Sequence, residues 1–116
     1  MEPRPRADLF TLRNSTGLEI EITNYGGIVT ALRVPDREGA IDDIVLGFDT
    51  IDPYFGPHPY FGGIIGRYAN RIARGRFRLE GREHVLARND GENHLHGGSR
   101  GFDRMFWNAT PRSSGD

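Results

Sequence analysis

The sequence predicts an all-β protein, an antiparallel arrangement making one layer or end of a β-sandwich, and three observations lead there. Glycine occurs 16 times and proline 7 times in 116 residues, too often for a helical bundle. No window keeps apolar residues at i, i+3, i+4 and i+7 over three turns, so a helix is not expected anywhere. Several short segments alternate instead with period two, the pattern of strands that turn one face to a core.

Leu18-Glu19-Ile20-Glu21-Ile22-Thr23 places Leu18, Ile20 and Ile22 on one face and both glutamates on the side of water. Asn24-Tyr25-Gly26-Gly27 has turn composition, Ile28 to Val34 reads as the next strand, and Pro35 to Gly39 breaks it. A short strand is expected around Ile44-Val45-Leu46. From Asp49 to Tyr60 the chain is expected to be a loop, because Pro53, Pro57 and Pro59 lack the N–H that a central strand donates. The clearest hairpin pairs Arg76–Glu80 with Glu83–Arg88 around Gly81-Arg82, with Phe77 and Leu79 on its inner face. The segment 110–116, with turn composition and no apolar partner, is expected to be a disordered tail.

At 116 residues and 36% hydrophobic composition the chain is the size of one domain. The balance of 15 basic and 16 acidic residues gives a net charge of -1, which offers no field toward nucleic acid or an anionic membrane. No segment approaches the roughly 20 apolar residues of a membrane-spanning helix. Without cysteine there is no thiolate nucleophile or Cys-ligated zinc, and a soluble, cytoplasmic protein is expected.

The candidate chemistry lies between Gly66 and Gly98. Asn70 offers a donor and an acceptor, Arg71 a planar fork of donors, and neutral sugar hydroxyls need such mixed, directional pairing. Alternation would set His94 and His96 on one side of a strand, and Gly97 and Gly98 would let a ligand approach beside the imidazole. A zinc site would need a third ligand, His58 or Asp103, from loops without a ligand spacing, so no metal is expected. Gly62-Gly63-Ile64-Ile65-Gly66 fits neither the dinucleotide nor the P-loop pattern, and Asp42, Asp43, Asp49 and Asp52 lack EF-hand spacing. The arginine run Arg67, Arg71, Arg74, Arg76, Arg78, Arg82, Arg88 reads as a solvated outer face, since Phe77 points away from its arginine neighbours.

Asn24-Tyr25-Gly26-Gly27, Gly66-Arg67-Tyr68-Ala69-Asn70-Arg71-Ile72-Ala73, the Phe77-x-Leu79-x-Gly81 hairpin, Asn93-His94-Leu95-His96-Gly97-Gly98 and Gly101-Phe102-Asp103-Arg104 with Trp107 occur in one order. Together they resemble the aldose 1-epimerase (galactose mutarotase) family over nearly the whole stretch 24–107. The resemblance implies a large antiparallel β-sandwich, the galactose mutarotase-like supersandwich, of which residues 1–116 form a single partial domain from the N-terminal part. It implies an isomerase that interconverts the α and β anomers of free aldohexoses such as glucose or galactose by general acid-base ring opening, with no metal or organic cofactor. Matched residue by residue, Asn70 and Arg71 take substrate-binding positions. His96 takes that of the histidine near the sugar ring oxygen, a supporting residue, and His94 receives no role.

The family's proton-donating histidine and glutamate base belong to a later portion, so neither member of the main acid/base pair is expected within this chain. Alone it is expected to be inactive, and exposed strand edges and apolar faces would favour self-association. The alternative is a non-catalytic carbohydrate-binding or sugar-sensing domain on the same scaffold, because every residue assigned here binds rather than transfers protons. A third reading is a structural or interaction fragment from an interrupted reading frame.

Overall fold

A computed structural model describes residues 5–113. Four strands, β1 (Leu9–Arg13), β2 (Glu19–Thr23), β3 (Val29–Pro35) and β4 (Ile41–Asp43), form an antiparallel meander in sequence order. Beyond it β5 (Arg71–Ile72) pairs with β8 (His94–Leu95), and β6 (Arg76–Leu79) pairs with β7 (Arg82–Val85), both antiparallel. Short 3-10 turns at Asp52–Phe55, Ala73–Gly75 and Phe102–Arg104 interrupt the loops, and there is no α-helix among the described residues. The all-β, antiparallel class predicted from composition and alternation is the class observed.

Several details differ from the sequence reading, and one strand was absent from it. The strand β1 was not anticipated: Leu9–Arg13 becomes a strand by pairing along all of β2, from Leu9 opposite Thr23 to Arg13 opposite Glu19. The short strand expected at Ile44-Val45-Leu46 lies three residues earlier, at Ile41–Asp43. The cause is Asp36, whose carboxylate accepts from the amides of Glu38 and Ala40 and closes the turn early, so that Ile41 already faces Pro35. The two-residue turn of the β6–β7 hairpin is Glu80-Gly81 rather than Gly81-Arg82, since Leu79 pairs with Arg82, and both turn residues have positive φ, 50° and 78°.

The β2 glutamates are half-buried rather than free in water. Glu19 lies in a cross-strand row between Arg13 and Arg33 and is ion-paired to both, at 2.6 Å to Arg33. The two guanidiniums, Arg13 first, hold its carboxyl below the usual range. The Thr30 hydroxyl donates to Glu21 Oε1 at 2.7 Å beside a register shift, where Ala31 faces Glu21 but Val29 faces Ile22 and leaves Thr30 unmatched.

The core is aromatic and sits at one end of the meander. Tyr25, Ile28 and Tyr54 are buried, with Phe48, Phe55, Phe61 and Phe106 packed against them. Tyr25 contacts Phe55 and Phe106 at ring-centroid distances of 4.6 and 5.1 Å, and Tyr54 meets Phe48 edge-on at 5.0 Å. The Tyr54 hydroxyl accepts the Phe48 amide proton at 2.9 Å, which satisfies its polar end. The loop expected from three prolines thus contributes a principal core residue. The turn Asn24–Gly27 is tied to the far end of the chain: Gly26 N donates to Met105 O at 2.7 Å, and Trp107 N to Asn24 O at 2.8 Å. Gly26, at φ 68°, lies so close to the Asp103 carbonyl that no side chain would fit.

Thr110 to Ser113 are exposed and without regular structure, but the segment does have apolar neighbours: Ala109 to Arg112 line a cavity of about 250 Å³ with Phe10, Leu12 and Ile22. Residues 114–116 of the expected tail lie outside the described residues.

Candidate functional site

Asn70 and His96 are joined by two hydrogen bonds. The Asn70 amide donates to His96 Nδ1 at 3.0 Å, and the His96 amide donates back to the Asn70 carbonyl at 3.1 Å. Because Nδ1 is the acceptor, the neutral imidazole carries its proton on Nε2, which leaves that edge as a donor. Arg71 follows Asn70 and opens β5, facing Leu95 of β8, the residue before His96. The three residues singled out from the sequence are therefore neighbours.

They do not line a closed hollow. Asn70 and Arg71 are exposed and His96 is half-buried. The nearby cavity of about 380 Å³ is lined by Gly66, Arg67, Tyr68, Leu86, His94, Gly97, Arg100, Phe102 and Met105. Ladder geometry explains this: Ile72 faces His94 and Arg71 faces Leu95, so His94 and Arg71 project from opposite faces of the β5–β8 pair.

Two residues that sequence reasoning passed over complete the site. The Tyr60 ring meets His96 at 4.7 Å between centroids, inclined at 64°, and restrains the imidazole from one side. Asp90 accepts the Arg71 Nε–H at 2.8 Å, and among the described residues the guanidinium has no other partner. The Asn70 carboxamide has no partner among them at all, so its donor and acceptor face outward.

Backbone strain marks the same place. Non-glycine residues with positive φ are uncommon, and of the five described, three lie here, Tyr60, Asn70 and His96, with φ of 60°, 59° and 49°; the other two are Arg74 and Glu80. Such conformations cost of order 1–3 kcal/mol each and persist where surrounding bonds hold them, often at functional sites. The reciprocal Asn70–His96 bonds are one such restraint.

The histidine pair predicted from alternation parts company. The strand β8 ends at Leu95 and His96 turns left-handed, so period two does not extend to it. His94 is buried, donates from Nδ1 to the Ala87 carbonyl at 2.8 Å, and its Nε2 has no partner among the described residues. The two glycines after His96 do not open space for a ligand either. Gly97 admits the Gly66 carbonyl, and Gly98 packs on the His94 ring.

His58 also serves packing. Its Nδ1 accepts the Phe61 amide proton at 3.2 Å, its ring lies among Phe48, Tyr54 and Phe61, and burial, followed by the charge of Arg104, lowers its pKa. No group of three or more His, Asp or Glu residues able to hold a metal ion occurs among the described residues. The arginine run is engaged locally: Arg67 lies over the Phe102 ring, Arg78 donates to the Gly81 carbonyl, Arg88 to that of Arg74, and Arg76 pairs with Glu83.

Sequence and structure comparisons add the following. A family profile described as aldose 1-epimerase matches residues 8–116. Galactose mutarotase of Sus scrofa is 52% identical over 98 residues, and that of Bos taurus 51% over 98 residues; each match covers 84% of this chain and 28% of the relative. A crystal structure of an aldose epimerase homologue from C. elegans superposes with a TM-score of 0.85 at 30% identity, over 93% of this chain and 33% of that one. The chain thus spans about 28% of the length of these curated relatives.

Proposed function

The chain belongs to the aldose 1-epimerase family, and on that premise we propose that it supplies part of the sugar pocket of a mutarotase acting on free aldohexoses such as galactose or glucose. The observation that carries this reading is the reciprocal bonding of Asn70 and His96, which leaves the imidazole Nε2–H as the donor at a junction that also carries Arg71.

In the proposed reaction a base removes the proton of the anomeric hydroxyl while the bond from C1 to the ring oxygen breaks. The C1–O bond becomes a carbonyl and the ring oxygen takes a proton. Rotation about C1–C2 and reclosure on the other carbonyl face give the second anomer. Negative charge gathers on the ring oxygen in the transition state, and a donor aimed there lowers the barrier. His96 Nε2–H is suited to that donation, while the outward amide of Asn70 and the guanidinium of Arg71 are suited to sugar hydroxyls.

None of these residues is assigned as the principal acid or base. Each such partner contributes about 10²–10⁴-fold, so the 116 residues alone are expected to anomerise sugars weakly or not at all. The test is polarimetry of freshly dissolved α-galactose and α-glucose with the longest natural form that carries this sequence. Faster decay than in buffer is expected; no acceleration for either sugar refutes the enzymatic reading.

A second reading is favoured by one observation: His96 Nδ1 is occupied by the Asn70 amide, so this histidine is built to bind rather than to shuttle a proton. A carbohydrate-binding or sugar-sensing protein on the same scaffold would show hexose affinity with an anomerisation rate equal to that of buffer.

A further inference from the structure

The Arg71 guanidinium is held by a carboxylate whose position does not depend on Arg71. Asp90 accepts the Nε–H at 2.8 Å. Its own backbone is fixed by reciprocal bonds with Asn93, at 3.0 and 2.9 Å. The preceding residue, Asn89, accepts the Leu95 amide proton and donates to the Leu95 carbonyl, both at 2.8 Å, and Leu95 is the residue opposite Arg71 in the β5–β8 ladder. The turn therefore presents a negative charge within one hydrogen bond of the site's cation.

We propose that Asp90 is a specificity-determining residue, which rests on the sugar-site reading above: it positions Arg71 while cancelling its charge, so that the site takes uncharged aldoses and disfavours sugar phosphates. A guanidinium without a counter-ion attracts phosphate strongly and in bidentate fashion. With Asp90 in place, Arg71 still offers directional donors from its terminal nitrogens, but a phosphate brought near meets a carboxylate as well.

The variant Asp90→Asn separates the two effects, because a carboxamide oxygen still accepts from Arg71 Nε while the charge is gone. Removing one unit charge about 7 Å from a bound phosphate, at a partly exposed site, changes relative affinity by about threefold to tenfold. The measurement is binding of galactose and of galactose 6-phosphate to the wild type, Asp90→Asn and Asp90→Glu, by ligand-observed NMR competition at low salt and at 1 M salt, with a thermal melt on each.

The expected result is a shift of about threefold to tenfold toward the phosphate in Asp90→Asn, largely lost at high salt as charges become screened, and no shift in Asp90→Glu. Should Asp90→Asn fail to fold, Asp90→Ser is read for the same ratio. An unchanged ratio, a salt-independent shift, or no binding of either sugar to any form overturns the proposal. Polarimetry on the wild type keeps the two readings apart. Anomerisation with an unchanged ratio removes only the role of Asp90, whereas a shifted ratio without anomerisation keeps that role and removes the enzyme.

Discussion

The β6–β7 hairpin and the Asn70–His96 junction lie close in sequence and are built in opposite ways. The hairpin is regular, its four pairs run from Arg76–Val85 to Leu79–Arg82, and its side chains are mostly exposed, Leu79 and Val85 among them. Phe77 is its anchor, stacked on His84 and edge-on to Tyr68. The junction has a ladder of only two pairs, left-handed residues on both sides, and polar groups satisfied through Asn89, Asp90 and Asn93. Irregularity, held in place by several bonds, marks the part where side chains are aimed.

The largest effect should come from the aromatic core. Tyr54→Ala removes a fully buried ring and its bond to the Phe48 amide, and is expected to cost about 3–5 kcal/mol in urea unfolding. Leu79→Ala on the hairpin, where the side chain is 58% exposed, should stay within about 0.5 kcal/mol. Equal losses would erase the contrast between the two regions.

At the junction, Arg71→Ala in the longest natural form should weaken hexose binding by about 10- to 100-fold, the usual worth of a charged hydrogen bond, with an unchanged melting curve. His96→Ala removes a neutral donor and should cost about tenfold in kcat/KM. Wild-type kinetics in either variant would remove that residue from the site.

Smaller changes test the hairpin. Glu80 occupies the first left-handed position of a two-residue turn, so Glu80→Asn is expected to stabilise by about 0.5 kcal/mol in thermal unfolding, without effect on sugar binding. The smallest effect concerns pH. Because the folded pKa of Glu19 lies below its ordinary 4.5, the stability from its pairing with Arg13 and Arg33 is present above that value and is lost as pH falls through the folded pKa. Glu19→Gln should therefore lower stability slightly near neutrality, leave it unchanged at the acid end where the carboxyl is protonated, and so flatten the acid limb of the profile.

These contrasts also explain what could be read from the sequence. The strands β2, β3 and β6 were legible because their alternation is local, and Asn70, Arg71 and His96 because they stand in recognisable motifs. The strand β1 was not, since LFTLR acquires its register only from β2. Tyr60 and Asp90 gave no sign of their partners, His96 and Arg71, because both contacts join segments far apart in the chain. The one local hint was the turn-forming Asn89-Asp90-Gly91. Gly97 was misread for the same reason, since the Gly66 carbonyl that fills the space beside it comes from elsewhere in the chain, whereas Gly98 is closed off by the ring of His94 four residues before it.

The most direct test is an NMR titration of the longest natural form with galactose, following the Asn70 amide, the His96 ring Nε2–H and the hairpin residues Phe77 and His84 as internal reference. Saturable shifts at Asn70 and His96, with the hairpin signals still, are the expected result. Unmoved Asn70 and His96 signals at saturating sugar, or shifts centred on the hairpin, would contradict it.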